Sequence, residues 1–313
     1  MAYASPAGFQ EREPPVMAPM SDAGMARALM KLTPQAGHFP SAVPGVTLMR
    51  AEQSSAPTPV LQEPTWVVLA QGVKRGYLGD EVMSYQAGQC LAVAVPMHFK
   101  CDTVVEDGHP MLALAVDIDK GVISELLSKM GRPAMGAARP SGRGMAVSAL
   151  DARMHDTLLR LIQVLDCPQE AQVLGPQLVR ELHYRMLTSP SGDILRAVVD
   201  WQGKQGAIYR ACERIRMDHA QALDVGMLAR EAAMSTSAFH AAFKAVTGCA
   251  PLQYIKATRL QHAHALIRQG THGVAQAAYE VGYASASQFS REFKRMFDHP
   301  PAVAAQQRQP APA

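Results

Sequence analysis

Four polar side chains near the end of the sequence have the types and spacing needed to hydrogen-bond to phosphates or to the edges of nucleic-acid bases. The stretch VGYASASQFSREFKRMFDHPP covers residues 281–301. Phenylalanine recurs there at every fourth position, which places three rings along one side of a helix. The opposite side carries Ser287, Gln288, Arg291 and Arg295. Hydroxyl, amide and guanidinium groups contact phosphates and base edges in DNA, so this face is a candidate reading surface.

The same pattern occurs a second time, fifty residues earlier. STSAFHAAFKAVTGCAP at 235–251 aligns without gaps on 285–301, and six of the seventeen positions are identical. The identical pairs are Ser235 and Ser285, Ser237 and Ser287, Phe239 and Phe289, Phe243 and Phe293, Lys244 and Lys294, and Pro251 and Pro301. Each copy follows a short alanine-rich helical pattern. The order of small residues, tight turn, serine and aromatic-striped helix is typical of helix-turn-helix motifs, whose second helix enters the major groove.

The turns within the two copies also follow from residue types. Ser235 and Ser285 are predicted N-caps, because a serine hydroxyl accepts a hydrogen bond from an unpaired backbone N–H and fixes where a helix begins. Small residues lie where the paired helices must approach each other: Ala229 and Ala232 in the first copy, Ala278 and Gly282 in the second. Glycine at 282 permits a sharp turn that a larger residue would strain.

The two copies differ in the donors they offer and are joined by one long helical pattern. The polar face of the first copy carries Ser237, His240, Ala241 and Lys244. Ala241 aligns with Arg291 of the second copy and offers only a methyl contact. The pattern from Pro251 to Gln269 predicts a helix of roughly 27 Å, close to one DNA turn of about 34 Å. A single chain is therefore expected to contact two consecutive major grooves.

Positive charge is concentrated in the part of the chain that contains the repeat. The 313 residues carry a net charge of +3, and 48% of them are apolar, as in a globular protein of about two domains. Residues 205–313 contain twelve Lys and Arg against seven Asp and Glu, a net charge of +5, which leaves −2 on residues 1–204. A basic excess around the repeat favours a polyanionic partner.

Cysteine usage and the lack of long apolar runs predict a cytoplasmic protein. The five cysteines are odd in number and scattered, without a CxxC pair, which favours a reducing compartment. Charges and prolines interrupt the N-terminal stretch, unlike a secretory signal. No stretch approaches the roughly 18 apolar residues of a membrane-spanning helix, so no membrane partner is expected.

Upstream of the repeat the pattern changes from β-rich to helical. Short apolar runs bounded by Gly, Asp and Pro predict strands, and they lie at 65–72, 74–88, 90–96 and 111–118, with a hairpin turn at Gly79-Asp80. Several short strands at this spacing favour a small barrel or sandwich.

After residue 119 the periodicity is helical. One helical pattern carries an apolar stripe of Met154, Leu158, Leu161 and Leu165. This stripe either packs inside the chain or forms a dimer face, and both alternatives stay open.

The repeat resembles the DNA-binding domain of the AraC/XylS family of bacterial transcription regulators, in which two helix-turn-helix units are joined by a long helix. The resemblance covers about residues 205–302, where AAYEVGYASASQFSREFKRMFDHPP follows the family signature nearly position by position. It implies base or backbone contacts by Ser237, His240 and Ala241 in the first helix and by Ser287, Ser290 and Arg291 in the second. Ala241 departs from the long polar residue frequent in the family, which leaves His240 to carry more of the first unit's specificity.

The upstream part resembles the cupin-like N-terminal domain of one AraC-type subgroup, through PTWVVLAQGVKRGYLGDEVMSYQAGQCLAVAVP and the segment LVRELHYRMLTSPSG at 178–192. The expected fold is therefore α+β: a cupin-like β-barrel with appended helices, then an all-α domain of about seven helices with two helix-turn-helix units. The expected boundaries are a disordered segment at 1–40 with one short helix at 22–32, the cupin-like domain at 41–192, a linker at 193–206, the DNA-binding domain at 207–302 and a disordered tail at 303–313.

The predicted barrel has few residues suited to catalysis. Catalytic cupins hold a metal through clustered His and Glu, whereas His98 and His109 lie eleven residues apart without an HxH pair or a matched Glu. We expect no catalytic residue, metal or cofactor. A small molecule can still bind in a barrel mouth, and the candidate wall residues are Trp66, Val68, Tyr77, Tyr85, Leu91, Val93 and Phe99. The alternative is that these side chains simply fill the core.

The expected function is sequence-specific binding of double-stranded promoter DNA by a ligand-responsive activator. The expected DNA-contacting residues are Ser237, His240, Ala241, Lys244, Ser287, Gln288, Ser290, Arg291 and Arg295. The resemblance implies a contact with RNA polymerase and leaves a homodimer open. Two alternatives remain, a regulator whose N-terminal domain only dimerises and binds no ligand, and a cupin-type metal enzyme. The residues themselves do not decide between activator and repressor.

Overall fold

The structure is a computed structural model that describes residues 23–79, 81–105, 108–130, 143–199 and 203–306. The strands in these ranges are β1 (Gly37–Pro40), β2 (Val46–Ala51), β3 (Thr58–Gln62), β4 (Thr65–Gln71), β5 (Val73–Leu78), β6 (Glu81–Gln86), β7 (Gln89–Val93), β8 (Met97–Val104), β9 (Met111–Asp117) and β10 (Met145–Ala149). The helices are α1 (Ala23–Leu32), α2 (Lys120–Met130), α3 (Ala152–Val164), α4 (Pro168–Thr188), α5 (Gly192–Val199), α6 (Lys204–Asp218), α7 (Val225–Glu231), α8 (Thr236–Thr247), α9 (Pro251–Gln269), α10 (Val274–Glu280), α11 (Ala286–Phe297) and α12 (Pro301–Gln306). The chain divides after residue 201 into an N-terminal and a C-terminal unit, with 58–61 and 96–98 grouped with the C-terminal one.

The strands of the described residues form two β-sheets rather than the predicted closed barrel. One sheet has six strands in the order β1-β2-β9-β4-β7-β10, and the other has four in the order β3-β8-β5-β6. A barrel requires its end strands to hydrogen-bond to each other. In the described part of the chain β1 and β10 end one sheet and β3 and β6 end the other, so the barrel prediction is corrected to a two-sheet arrangement. The α+β class is confirmed.

The predicted hairpin between β5 and β6 is present. The two strands pair antiparallel with Leu78 opposite Glu81, which leaves a two-residue connection. Gly79 has φ +61°, a left-handed conformation that suits a tight hairpin turn. Asp80, the other predicted turn residue, lies outside the described residues.

The prediction of disorder over residues 1–40 is wrong for the part that the structure describes. Met25 and Leu29 of α1 are fully buried, because they lie one helical turn apart and form an apolar stripe. The short helix predicted within this segment is therefore confirmed. β1 pairs with β2 over residues 37–40, and residues 1–22 lie outside the described ranges.

The apolar stripe of α3 packs inside the chain. Met154, Leu158 and Leu161 are at most 1% exposed, and Leu165 is half-buried. Glu181 of α4 links α4 to α3, because it accepts hydrogen bonds from Thr157 and from the Arg160 guanidinium of α3. It also accepts one from Arg185 within α4. The chain's own core therefore covers this stripe, and the stripe does not supply a dimer face.

Seven helices, α6 to α12, form the C-terminal unit in its described part, and this confirms the predicted all-α domain. The boundaries differ from those predicted. The expected linker at 193–206 contains most of α5 and the start of α6, and α12 extends to Gln306 within the expected tail. In the described residues no helix is long and apolar enough to cross a lipid bilayer.

Candidate nucleic-acid interface

Two helix pairs in the C-terminal unit share one backbone geometry. We call α7 with α8 the first motif and α10 with α11 the second motif. In the first turn, Met234 N donates to Ala229 O at 2.9 Å, and in the second, Tyr283 N donates to Ala278 O at 3.0 Å. The matched hydrogen bonds confirm that the sequence repeat is a repeat of structure.

The two turns differ at the residue that needs a left-handed conformation. Gly282 has φ +84° in the second motif, as its predicted role in the turn requires. Its structural counterpart in the first motif is Ala233, with φ +52°. A gapless alignment of the two copies would instead pair Gly282 with Ala232. The register differs because the first turn is one residue shorter. A non-glycine residue in this conformation is strained.

Both second helices begin at the predicted serines. Ser235 Oγ accepts from Ala238 N and Ser285 Oγ accepts from Gln288 N, each at 3.3 Å. The aromatic stripes behind them are core, because Phe239, Phe243, Phe289 and Phe293 are all 0% exposed. Caps and stripes together fix which face of α8 and α11 points to solvent.

The predicted contact residues lie on those outward faces. Eight of the nine are exposed: Ser237, His240, Ala241, Lys244, Ser287, Gln288, Arg291 and Arg295. The ninth, Ser290, is half-buried, and its hydroxyl donates to Ala286 O at 2.9 Å within α11. Ser290 is therefore less available to a ligand than the other eight.

Helix α9 joins the two motifs, and its residue Arg259 hydrogen-bonds to segments next to both of them. α9 has 19 residues, which corresponds to about 28 Å. The Arg259 guanidinium donates to three backbone carbonyls, His219 O at 2.7 Å, Gln221 O at 2.8 Å and Gly282 O at 3.4 Å. The first two carbonyls belong to the connection between α6 and the first motif, and the third belongs to the turn of the second motif. The guanidinium therefore links the segment that leads into the first motif to the turn of the second motif.

A close backbone approach at the same place explains why residue 282 must be glycine. A Cβ on Gly282 would lie 2.5 Å from Ala220 O. Such a contact requires the backbone to shift, in addition to the strain of the positive φ. The α6 connection therefore packs directly on the second turn.

Glu292 is a functional candidate that the motif pattern did not single out. It is the single acidic residue of α11 and accepts hydrogen bonds from Lys256 Nζ at 2.8 Å, Tyr283 Oη at 2.8 Å and Gln288 Nε2 at 3.3 Å. Burial raises the pKa of Glu292, but the hydrogen bonds from these three donors outweigh it and the net shift is downward. The signal in the sequence was a lone carboxylate within a basic helix, one turn after a predicted reader.

Two histidines of α9 are held neutral by their surroundings. Burial lowers the pKa of His262 to about 4, helped by the charges of His219 and Arg216. Burial also lowers the pKa of His264 to about 4, helped by Arg268 and His299. The His264 ring stacks on Phe297, with ring centroids 4.5 Å apart. Protonation of either histidine places a charge against the core of this unit.

The predicted ligand-binding residues do not share one surface. Side chains of directly paired residues point to the same face of a sheet. Trp66 pairs with Ala92, whereas Leu91 pairs with Val67, so Trp66 and Val68 lie on one face of the six-stranded sheet and Leu91 and Val93 on the other. All four are buried.

The four-stranded sheet is divided in the same way. Tyr85 pairs with Lys74, and Gly76 with Cys101, which puts Tyr85 and Phe99 on one face with Lys74. Tyr77 is on the opposite face, where its hydroxyl donates to Asp102 at 2.9 Å. The burial of Tyr85 and the nearness of Cys101 and Cys90 raise its pKa, and Cys90 belongs to the six-stranded sheet. Tyr85 and Phe99 therefore face that sheet, together with Trp66 and Val68.

The sequence predicted that the histidines of the N-terminal region do not form a metal site. His109 is exposed. In the part of the chain that the structure describes, no group of three or more His, Cys, Asp or Glu residues is placed to hold a metal ion.

Comparison with known proteins places both units in one family. The model of the AraC-type transcriptional regulator N-terminus matches residues 42–194, and a helix-turn-helix domain model matches residues 228–307. An AraC-like transcription regulator of Streptomyces lividans is 39% identical over 87 residues, which are 28% of this chain and 29% of the relative. The thermoregulatory protein LcrF of Yersinia pestis is 23% identical over 179 residues, which are 57% of this chain and 64% of LcrF. The chain thus spans less than two thirds of the length of these relatives.

The fold is also found in solved structures. Apo ToxT of Vibrio cholerae superposes with a TM-score of 0.60 at 13% identity, covering 85% of this chain and 98% of ToxT. A second ToxT structure, with a bound unsaturated fatty acid, gives a TM-score of 0.58 at 12% identity, covering 84% of this chain and 95% of ToxT. Both matches show the fold alone. With an AraC-type N-terminal domain before two helix-turn-helix motifs joined by a long helix, this chain belongs to the AraC family of transcriptional regulators, which is not a class of enzymes.

Proposed function

We propose that this chain regulates transcription by binding double-stranded promoter DNA, with α8 and α11 each inserted in a major groove. The observation that carries the proposal is the matched exposure of polar faces on two helices whose opposite faces are anchored by buried phenylalanines. Helices with such faces read base edges, while basic residues around them hold the phosphates. The net charge of +5 on residues 205–313 supplies the electrostatic part of the affinity.

The two motifs contribute unequally to sequence reading in this proposal. Arg291 is exposed at the centre of the α11 face, and the matching residue of α8 is Ala241. Arginine forms bidentate contacts with guanine, whereas alanine offers a methyl group to thymine. The half-site read by α11 should therefore have the stronger base preference, with His240 as the main polar reader of the other half.

The test is the affinity of the full chain for a duplex that it selects from a randomised library. Arg291→Ala should weaken binding to that duplex by about 1–3 kcal/mol, because a base or charged phosphate contact is lost. Arg153→Ala is the control, since Arg153 is exposed on α3 outside the C-terminal unit and its loss changes the net charge equally. If wild type and Arg291→Ala bind the duplex with equal affinity, the docking of α11 is contradicted. If the wild type selects no duplex from the library, the proposed function itself is contradicted.

We further propose that the N-terminal unit binds a small molecule with an acidic group. Lys74 is half-buried on the sheet face that carries Tyr85 and Phe99, and its ammonium group forms no hydrogen bond or ion pair within the described part of the chain. Its charge is close enough to Cys101 to oppose the rise in thiol pKa that burial causes. ToxT, which shares the fold, has been solved with an unsaturated fatty acid. An apolar surface with one cation suits that chemical class.

The remaining parts of the proposal rest on family membership. Activation through a contact with RNA polymerase, action in the cytoplasm and pairing of two copies are expected on that basis. The buried stripe of α3 removes one candidate dimer face, so a homodimer would use another surface.

A further inference from the structure

The carboxylate of Glu292 lies among groups that are all able to donate to it. Lys256 comes from α9, Tyr283 from the turn before α11, and Gln288 from α11 itself. Oε1 accepts from Lys256 and Gln288, while Oε2 accepts from Tyr283. The Glu292 side chain is only 12% exposed, so these bonds are partly shielded from water. The carboxylate is thus held in one position by two other elements of the C-terminal unit.

This arrangement dictates the orientation of the Gln288 amide. An amide side chain presents oxygen on one side and NH₂ on the other, and its rotation follows from its partners. An ionised carboxylate only accepts hydrogen bonds. The nitrogen of Gln288 must therefore face Glu292, and its oxygen must face away. One N–H engages the carboxylate, which leaves the second N–H and the oxygen available on an exposed side chain.

The groups left available match one base. Adenine presents an N6 amino donor and an N7 acceptor in the major groove, and a glutamine amide pairs with both. Guanine presents two acceptors there, which an amide with one free N–H and one oxygen does not match. We propose that Glu292 is a positioning residue that orients Gln288 to read adenine in the half-site contacted by α11; this rests on the proposed DNA-binding function.

The first motif lacks this arrangement and provides an internal control. Ala238 stands at the position of Gln288, and Ala242 at that of Glu292. Neither alanine has a hydrogen-bonding side chain. A change at Glu292 should alter base preference in one half-site and leave the other half-site unaffected.

The experiment measures relative affinities of the full chain for a duplex selected by the wild type from a randomised library and for all its single-base-pair variants. In the wild type, one position of the α11 half-site should prefer adenine by about tenfold, the scale of a bidentate contact. Gln288→Ala should abolish the preference at that position only. Glu292→Gln is nearly isosteric, but its amide donates as well as accepts, so it should reduce the preference at that position severalfold. Preferences in the α8 half-site and at the position read by Arg291 should stay unchanged.

A second variant separates orientation from stability. Tyr283→Phe removes one bond to the carboxylate and keeps the ring, so it should reduce the adenine preference less than Glu292→Gln does. Thermal unfolding of each variant reports whether it is folded. A uniform loss of affinity for every duplex in Glu292→Gln would overturn the proposal, since that is the result of a purely structural role. Unchanged preferences in Gln288→Ala would overturn the assignment of the reader, while DNA binding itself would stand. Failure of the wild type to select any duplex would instead refute the proposed function.

Discussion

Ala233 shows how a single residue departs from its structural repeat. It holds φ +52° in the turn of the first motif, where the second motif has Gly282 at φ +84°. The left-handed conformation costs an alanine roughly 1–2 kcal/mol, and nothing in the residue type signals it. Gapless alignment of the two copies hides the position, because the turns differ in length by one residue.

We expect Ala233→Gly to stabilise the protein. The relief of backbone strain should exceed the entropy cost of an added glycine, for a net gain of roughly 0.5–1 kcal/mol in the free energy of unfolding. Ala245→Gly, at an exposed position of α8, should instead lose up to about 1 kcal/mol. Urea unfolding of the two variants checks the difference. Equal destabilisation by both glycines would show that Ala233 is not strained in solution.

At the scale of elements, Arg259 links the connection after α6 to the turn of the second motif. Its three carbonyl partners place a side chain of α9 between that connection and the turn of the second motif. The long apolar periodicity predicted α9 itself. The periodicity did not predict that Arg259 would make these links. They join Arg259 to residues forty and twenty-three positions away, and periodicity within a helix carries no information about such distant contacts.

We expect Arg259→Met to weaken two-groove binding selectively. The variant should bind the full duplex about tenfold more weakly, because a looser link lowers the effective concentration of the second motif. Its affinity for a duplex with only the α11 half-site should match that of the wild type, and Arg153→Met should change neither. Footprinting should show two protected consecutive major grooves in the wild type. Protection of one groove would mean that the first motif is only a structural support.

A second element-scale prediction concerns pH. Burial lowers the pKa of His264 from 6.5 to about 4, so between these values the unfolded state binds more protons than the folded state. The free energy of unfolding should therefore fall as pH drops from 6.5 toward 4. His264→Phe keeps a ring against Phe297 and should make this decline shallower. Urea unfolding at pH 7 and pH 5 tests it, with His240→Phe on the exposed face of α8 as the control. A decline as steep as in the wild type would contradict the assignment.

At the scale of the whole molecule, charge and apolar surface are divided between the two units. The excess of positive charge lies in residues 205–313, while the N-terminal unit buries Trp66, Val68 and Tyr85 between its sheets. This division suits one unit that binds DNA and another that responds to a small molecule.

The effector proposal predicts stabilisation of the full chain by an unsaturated fatty acid such as oleate. A ligand that binds only the folded state raises the melting temperature, and the rise grows with the logarithm of the ligand concentration once that concentration exceeds Kd. Lys74→Met should abolish the rise, because the carboxylate loses its cation. Lys100→Met is the matched control, since Lys100 lies on the opposite face of the same sheet, paired with Tyr77. Oleyl alcohol, which lacks the carboxylate, should have no effect. A rise that is equal in the Lys74 and Lys100 variants would contradict the site.

The sequence by itself determined the local features of this protein. The phenylalanine stripes, the serine caps, the repeat and the basic excess depend on residue type and spacing within one helix, and these predicted the motifs and their outward faces. Tertiary structure decided everything that depends on distant partners. Over the residues that the structure describes, the sheets did not close into a barrel. Strand register divided the candidate pocket residues between opposite faces, and residues 23–40 gained order by packing.

The same distinction applies to the candidate interface. Gln288 was predicted from helical spacing, but the group that positions it is complete only when Tyr283 of the turn and Lys256 of α9 both reach Glu292. A hydrogen bond between elements requires both partners at one place, and the folded chain alone fixes that place.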